Sequence, residues 1–401
     1  MVLNILTTPT ITITIIIYIY FYILYSKGVN NKMRISCTKI NLLTGINIVM
    51  KAVSNKSNLP ILECILIEAN GGNIKLTAND MELGIETYVE GSIIDNGKVA
   101  IDAKLLSDIV RKLPDSEIVI DTDELFRTTI TCEKSKFNIP GKSGDDYSYL
   151  PEVEKNNYIT LSQYSLKEII RQTIFSISDN ESNKLMSGEL FQVEGNNLKV
   201  ASLDGHRISI RNITLKDSYS DIKVVVPGKT LSDVSKIISG GVDDDIKLYF
   251  TPKHILFEFE HTKIVSRLLE GEYYKIDQML SSDYETNFII NKKEFLDCID
   301  RASLLIKDSD KKPIIINVNN SNIYLKIDSI LGSMNEEIEI KKEGKDIIIG
   351  FNPKFIMDAL RVIDDENISI YLVNSKSPCF IRDEKNSYIY LILPININNA
   401  I

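Results

Sequence analysis

One feature limits what this chain can fold into: it repeats itself. Lys104-Leu-Leu-Ser-Asp108, Lys229-Thr-Leu-Ser-Asp233 and Lys354-Phe-Ile-Met-Asp358 share the pattern K-x-[LI]-x-D at two equal spacings of 125 residues. A basic residue follows seven positions after each lysine, as Arg111, Lys236 and Arg361. The runs just before (GKVAID, IKVVVP, KDIIIGF) are short and β-branched, and read as strands feeding helices. A second element recurs with nearly the same period. Leu42 and Ile46, Leu166 and Ile170, and Phe295 and Ile299 have the i, i+4 apolar spacing of amphipathic helices, behind strands such as YITL and NFII. Behind each helix, LECILIEANGGNIKLTA, LFQVEGNNLKVAS and IIINVNNSNIYLKI place Gly or Asn pairs where two strands turn back as hairpins. The period exceeds that of a solenoid repeat, so each copy buries its own core. The reading is an α+β chain of three tandem copies, 33–157, 158–282 and 283–401, each made of two strand-helix-strands half-units. Residues 1–32 stand apart as an apolar N-terminal extension.

The repeat also organises charge. The chain carries 46 Lys and Arg against 55 Asp and Glu, a net charge of -9, which excludes a protein that is basic all over. Any nucleic-acid site must therefore be local. The three helical segments 104–113, 229–238 and 354–363 carry a net +4, while the rest of the chain carries -13. Positions i and i+7 lie only about 20° apart around a helix, so each lysine shares a face with the later basic residue. The aspartate at i+4, about 40° from the lysine, softens that stripe. Such a stripe facing phosphates gives salt-sensitive, sequence-independent attachment. An ordinary solvated helix face is the competing reading, and repetition in three copies weakens it.

Residues 9–25, PTITITIIIYIYFYILY, contrast with everything after them. A spanning helix needs about 20 apolar residues, and this run is shorter, interrupted by threonine and strand-like by propensity. The first positive charge, Lys27, lies on the wrong side for a secretory leader. Met33, opening MRISCTKINLL, is the expected start of the folded unit, with the upstream stretch an over-extended start or an appendage, and membrane anchoring the competing reading. Five well-separated cysteines without a C-x-x-C pair fit reduced thiols and a cytoplasmic home. With three histidines, no metal site and no cofactor are expected. Gly141-Lys142-Ser143 lacks the P-loop glycine, because Lys136 stands in its place. Ser202, Asp204 and His206 crowd together locally, unlike a triad assembled from separated segments. His254 and His261 are expected on opposite faces of one strand, and Asp243-Asp244-Asp245 as a solvated turn.

Several blocks carry a family resemblance: Asn58-Leu-Pro-Ile-Leu62, LFQVEGNNLKVASLDGHRISI at 190–210, Arg267-Leu-Leu-Glu-Gly271, Gly350-Phe-Asn352 and Tyr390-Leu-Ile-Leu-Pro394. Over 33–397 the sequence resembles the bacterial sliding clamps, the β subunits of DNA polymerase III. The resemblance implies a non-catalytic homodimer, joined head to tail into a six-domain ring that encircles duplex DNA and tethers the replicative polymerase, clamp loader and repair proteins. Family-like DNA contacts fall on Lys56, on Lys229 and on the loop from Asn180 to Lys184, which is polar here; the repeat-borne stripe adds Lys104, Arg111, Lys112, Lys236, Lys354 and Arg361. A groove for short apolar-tipped peptides, between copies two and three, is lined by Met186, Leu203, Gly205, His206, Arg207, Ile208, Tyr274, Met279, Leu391, Leu393, Pro394 and Ile395. Plain core packing is the competing reading for its aliphatic members, above all Ile208 and Leu391. Leu203 stands where Thr is common in the family, Tyr274 where Pro is usual and Asn396 where a basic residue often follows the proline. Phe137, Ile139, Leu304 and Leu305 match the family's subunit contacts. The alternative function is a membrane-tethered scaffold of the same fold that does not load on DNA.

Overall fold

A computed structural model describes residues 32–54, 58–180, 183–281, 283–306 and 312–397. The apolar run at 9–25 and Lys56 lie outside the described residues. The chain separates into two compact units: one up to Glu152 with Glu258–Val265, the other Val153–Phe257 with Ser266–Ile401. Six α-helices are present among the described residues, two per copy of the repeat.

In the first unit, strand Met33–Thr38 runs into α1 (Lys39–Val49), and Gly97–Asp102 runs into α2 (Ala103–Lys112). Each strand ends in the residue that starts its helix. Thr38 accepts the N–H of Asn41, and Asp102 Oδ1 accepts that of Leu105 at 2.7 Å, satisfying amides that have no partner inside the helix. Strand Cys64–Asn70 turns back into Asn73–Asn79 through Gly71 (φ +59°) and Gly72 (φ +83°), the left-handed pair that a two-residue hairpin turn demands. A five-stranded antiparallel sheet runs Ser92–Asp95, Met33–Thr38, Glu117–Thr122, Arg127–Cys132, Ser135–Pro140, leaving the last strand at an edge.

The second unit holds copy three and all of copy two except Glu258–Val265, with α3 (Gln163–Thr173), α4 (Gly228–Ile237), α5 (Lys292–Ser303) and α6 (Pro353–Val362). A seven-stranded sheet passes from one copy to the other where Arg207–Pro227 pairs antiparallel with Tyr388–Ile392, in register from Arg207↔Ile392 to Arg211↔Tyr388. A four-stranded sheet in copy three ends in an edge strand, Gly332–Glu339. The repeat extends to strand register. Ile65↔Ile101 and Ile74↔Val89 in copy one return as Glu189↔Val226 and Leu198↔Ile213 in copy two, displaced by 124 or 125 residues. Gly195 takes φ +59°, the value of Gly71.

Helices α2, α4 and α6 bury one face and expose the other. Leu106, Ile109 and Val110, then Leu231 and Val234, then Ile356, Ala359 and Leu360 pack inward. The apolar stripe at helical period thus fixes which way the basic residues point. One expectation fails: His261 lies in a turn and not on the strand His254–Phe259, because Glu260 adopts φ +45° and reverses the chain. No helix among the described residues is long and apolar enough to cross a membrane.

Candidate functional site

The residues expected to line a groove gather around the turn between strands Gly188–Leu203 and Arg207–Pro227. Asp204 Oδ1 accepts the N–H of His206 (2.9 Å) and of Arg207 (3.1 Å), and its Oδ2 accepts Nε–H of Arg207 (2.9 Å). Gly205 holds φ +90°, which a side chain would strain. Asp-Gly-His-Arg is thus a self-capped turn, in which Asp204 fixes the backbone and aims Arg207 at the same time. Ser202 is buried and donates to Thr173 O at 2.5 Å, so its hydroxyl serves the fold.

Beneath the turn, Leu203, Ile208 and Leu391 are buried with Leu190, Ile210, Tyr273 and Phe380, and Met186 and Tyr274 pack half-buried against that cluster. Ile208 and Leu391 are thus buried, as core packing requires, and would floor the expected groove. The open apolar rim is Met279, 44% exposed, and Leu393, 38% exposed, with Pro394 and Ile395 half-buried. Leu393 N–H donates to His206 O at 2.8 Å, and Ile395 N–H to Gly350 O at 2.8 Å, which ties the C-terminal segment to both copies. Tyr274 is held by the Asn183 side-chain amide, which donates to its hydroxyl at 2.5 Å. Gly205 and His206 are exposed.

Arg207 differs from the rest of this set, because its side chain is only 8% exposed. Nη1 donates to Asp358 Oδ2 at 2.7 Å and Nη2 to Phe175 O at 2.5 Å. The guanidinium stacks 4.6 Å from the Phe355 ring and 5.4 Å from that of Phe175. A buried guanidinium needs such partners, since an unpaired charge there is costly. His206 also lies against Phe355, with centroids 5.8 Å apart. A second bridge joins the copies where Arg171 meets Glu168 (2.5 Å) and Asp364 (2.9 Å). Phe175, Phe355 and Asp358 carry no sequence signal of a place at the groove. The repeat motif marks Asp358 only as a charge that softens the stripe, whereas its carboxylate is turned toward Arg207.

On the basic faces, Lys104, Arg111, Lys112, Lys229, Lys236, Lys354 and Arg361 are all exposed. Lys184 is exposed as well, although residues 181 and 182 of its loop lie outside the described residues. Phe137 is exposed and Ile139 half-buried on the edge strand Ser135–Pro140. Leu304 is exposed just beyond α5, and Leu305 packs partly on the copy-three core.

Glu189, at the start of its strand beside the groove floor, is fully buried. Its neighbour Thr173 spends its hydroxyl proton on Ile169 O (2.7 Å), which leaves both Glu189 carboxyl oxygens without a hydrogen-bond partner. Burial pushes its pKa up to about 8. Burial also pushes the thiols of Cys37, Cys298 and Cys379 up to about 12, which makes them poor nucleophiles. Among the described residues, no group of three or more His, Cys, Asp or Glu is placed to hold a metal ion.

Comparison with known proteins agrees with this geometry. Residues 33–151, 160–275 and 277–396 match the N-terminal, central and C-terminal domain models of the DNA polymerase III beta subunit. A beta sliding clamp of Staphylococcus epidermidis is 34% identical over 374 residues, covering 90% of this chain and 99% of the relative. The crystal structure of a DNA polymerase III beta subunit from Eubacterium rectale superposes with a TM-score of 0.89 at 62% identity, covering 91% of this chain and 100% of that one. The DNA polymerase sliding clamp of Bacillus subtilis gives 0.88 at 30% identity, over 91% and 99% of the two chains. Three consecutive domain matches and near-complete coverage of its relatives place this chain in the DNA polymerase III beta subunit family, the sliding clamps, which are non-catalytic subunits of the polymerase holoenzyme.

Proposed function

We propose that two copies of this sliding clamp close head to tail around duplex DNA, that α2, α4 and α6 of each copy face the phosphates, and that the groove beside Asp204–Arg207 receives short apolar-tipped segments of the replicative polymerase, clamp loader and repair proteins. The observation that carries the reading is the recurrence of one exposed basic face on three equivalent helices of a chain whose net charge is -9. Because the attraction is to phosphates and not to bases, it leaves the ring free to slide.

The two sheet edges support closure. Ser135–Pro140 exposes Phe137 on an edge strand between Lys134 and Lys142, while Gly332–Glu339 carries Glu336, Glu337 and Glu339. An exposed edge strand bearing an aromatic is a liability unless another strand covers it. Here one edge is basic and the other acidic, so the edge of one chain attracts the other edge of a second chain, and like edges repel. Leu304, beside the acidic edge, then meets the partner's surface near Phe137 and Ile139. The division at 33–157, 158–282 and 283–401 gives each copy one pair of helices. Five buried free thiols fit a cytoplasmic setting.

The test is retention on circular DNA. A ring with Lys229→Glu and Lys236→Glu in both chains is lost from the circle faster, and the log-log dependence of retention on salt falls by about 4, near 0.9 for each of the four phosphates no longer neutralised. Circular dichroism checks that the fold is kept. Retention equal to that of the unaltered clamp at every salt concentration refutes the DNA-facing assignment.

A further inference from the structure

Asp358 serves two arginines at once. Its Oδ2 accepts from Arg207 Nη1 at 2.7 Å, and its Oδ1 lies 4.0 Å from Nη1 of Arg361, one helical turn further along α6. The two cations sit in different surroundings. The Arg207 side chain is 8% exposed, whereas that of Arg361 is 54% exposed and also lies 3.5 Å from Asp300. A carboxylate that is itself 17% exposed therefore stands between the groove turn and the basic face of α6. Phe355, three residues before Asp358 on the same helix, stacks on that same guanidinium, so α6 grips Arg207 by both charge and ring.

Two cations competing for one carboxylate are coupled. When Arg361 turns to a phosphate it withdraws positive charge from Oδ1, and the carboxylate is left to Arg207 in a site less screened than bulk water. Arg207 then holds its turn more firmly. That turn includes His206, whose carbonyl oxygen positions the rim residue Leu393. Pre-organising a binding surface tightens whatever binds there. We propose that Asp358 is a positioning residue that couples DNA in the channel to the peptide groove, so that DNA tightens peptide binding and, by linkage, peptide tightens DNA by the same factor. The proposal rests on the DNA-facing reading of α6.

The measurement is fluorescence anisotropy of a labelled hexapeptide ending in two apolar residues, titrated with the full chain at low ionic strength, with and without a short DNA duplex. Duplex tightens peptide binding about 3-fold, below the usual 5- to 150-fold because Arg361 is exposed and screened. Arg361→Gln, with no DNA present, already binds peptide about as tightly as the DNA-bound clamp, and duplex no longer changes its affinity. Asp358→Asn binds peptide more weakly and loses the DNA effect. Tighter peptide binding on removal of a distant exposed cation is something a merely structural Asp358 would not produce. Arg361→Gln that binds peptide like the unaltered clamp overturns the proposal whether or not Asp358→Asn folds, as does Asp358→Asn that keeps the full DNA effect. Duplex binding is followed in the same samples. A duplex that fails to bind defeats the DNA-facing reading and this coupling with it, while one that binds without changing peptide affinity defeats the coupling alone.

Discussion

Helices α2 and α6 carry the same five-residue pattern and the same basic face, yet their aspartates do different work. Asp108 of α2 is exposed. Asp358 of α6 is drawn under the surface by Arg207, across the junction of copies two and three. A repeat thus preserves the scaffold at equivalent positions while one copy takes up an extra task, and the neighbour across the junction decides which. The sharpest way to break this comparison is to remove both carboxylates in turn. Asp358→Ala removes one of the two carboxylates that hold the buried Arg207 guanidinium and leaves Asp204 and Phe175 O in place, so it costs about 2 kcal/mol, below the figure for a fully unpaired buried charge. Asp108→Ala stays within about 0.5 kcal/mol. Urea unfolding of the two variants decides, and equal losses would show that the pair across the junction does not matter to the fold.

A second pair of equivalent positions contrasts copies one and two. Ile65 and Glu189 occupy the same place in their strands, and both are fully buried. Copy one fills the site with an aliphatic side chain, and copy two with a carboxyl whose pKa is pushed up to about 8 by burial. The folded state therefore binds a proton that the unfolded state has released above about pH 4.5. Below that pH Glu189 adds no pH-dependent cost. Stability then falls as pH rises toward 8, and levels off beyond, where both states are ionised. Glu189→Gln abolishes this slope and removes a pH-dependent loss on the order of 4 kcal/mol at pH 8. Denaturation at pH 6 and pH 9 checks the sign: a variant no less pH-dependent than its parent would mean that Glu189 is ionised in the fold.

The repeat, the helix faces and the strand-to-helix entries were legible because each is written in local period, and local period survives without knowledge of partners. The groove floor was legible only as a set of names. Leu203, Ile208 and Leu391 carry no mark that separates a floor from ordinary core, since burial looks the same from either side. Phe175, Phe355 and Asp358 were not legible as groove residues at all. Their role arises from Arg207, which lies more than 140 residues from Asp358 and meets it only after Arg207–Pro227 pairs with Tyr388–Ile392. His261 was misplaced for the opposite reason: an apolar run across His254–Phe259 hid the turn that Glu260 makes with a positive φ.

The smallest contrast concerns how equivalent helices begin. Asp102 starts α2 by accepting Leu105 N–H at 2.7 Å, whereas α4 follows Pro227 with no side-chain cap. In α4 the entry is held by shape: a Cβ on Gly228 would come within 2.4 Å of Ile177 Cδ1 and 3.0 Å of Ser187 O, so that end of the helix is packed against its neighbours. In α2 the bond carries the same duty, helped by a negative charge at the positive end of the helix dipole. Asp102→Ala therefore costs about 1 kcal/mol, while Pro227→Ala, which removes no capping bond, changes stability by less than about 0.5 kcal/mol. Urea midpoints of the two variants compare the entries directly. An unmoved midpoint for Asp102→Ala would place the start of α2, like that of α4, in packing and not in its cap.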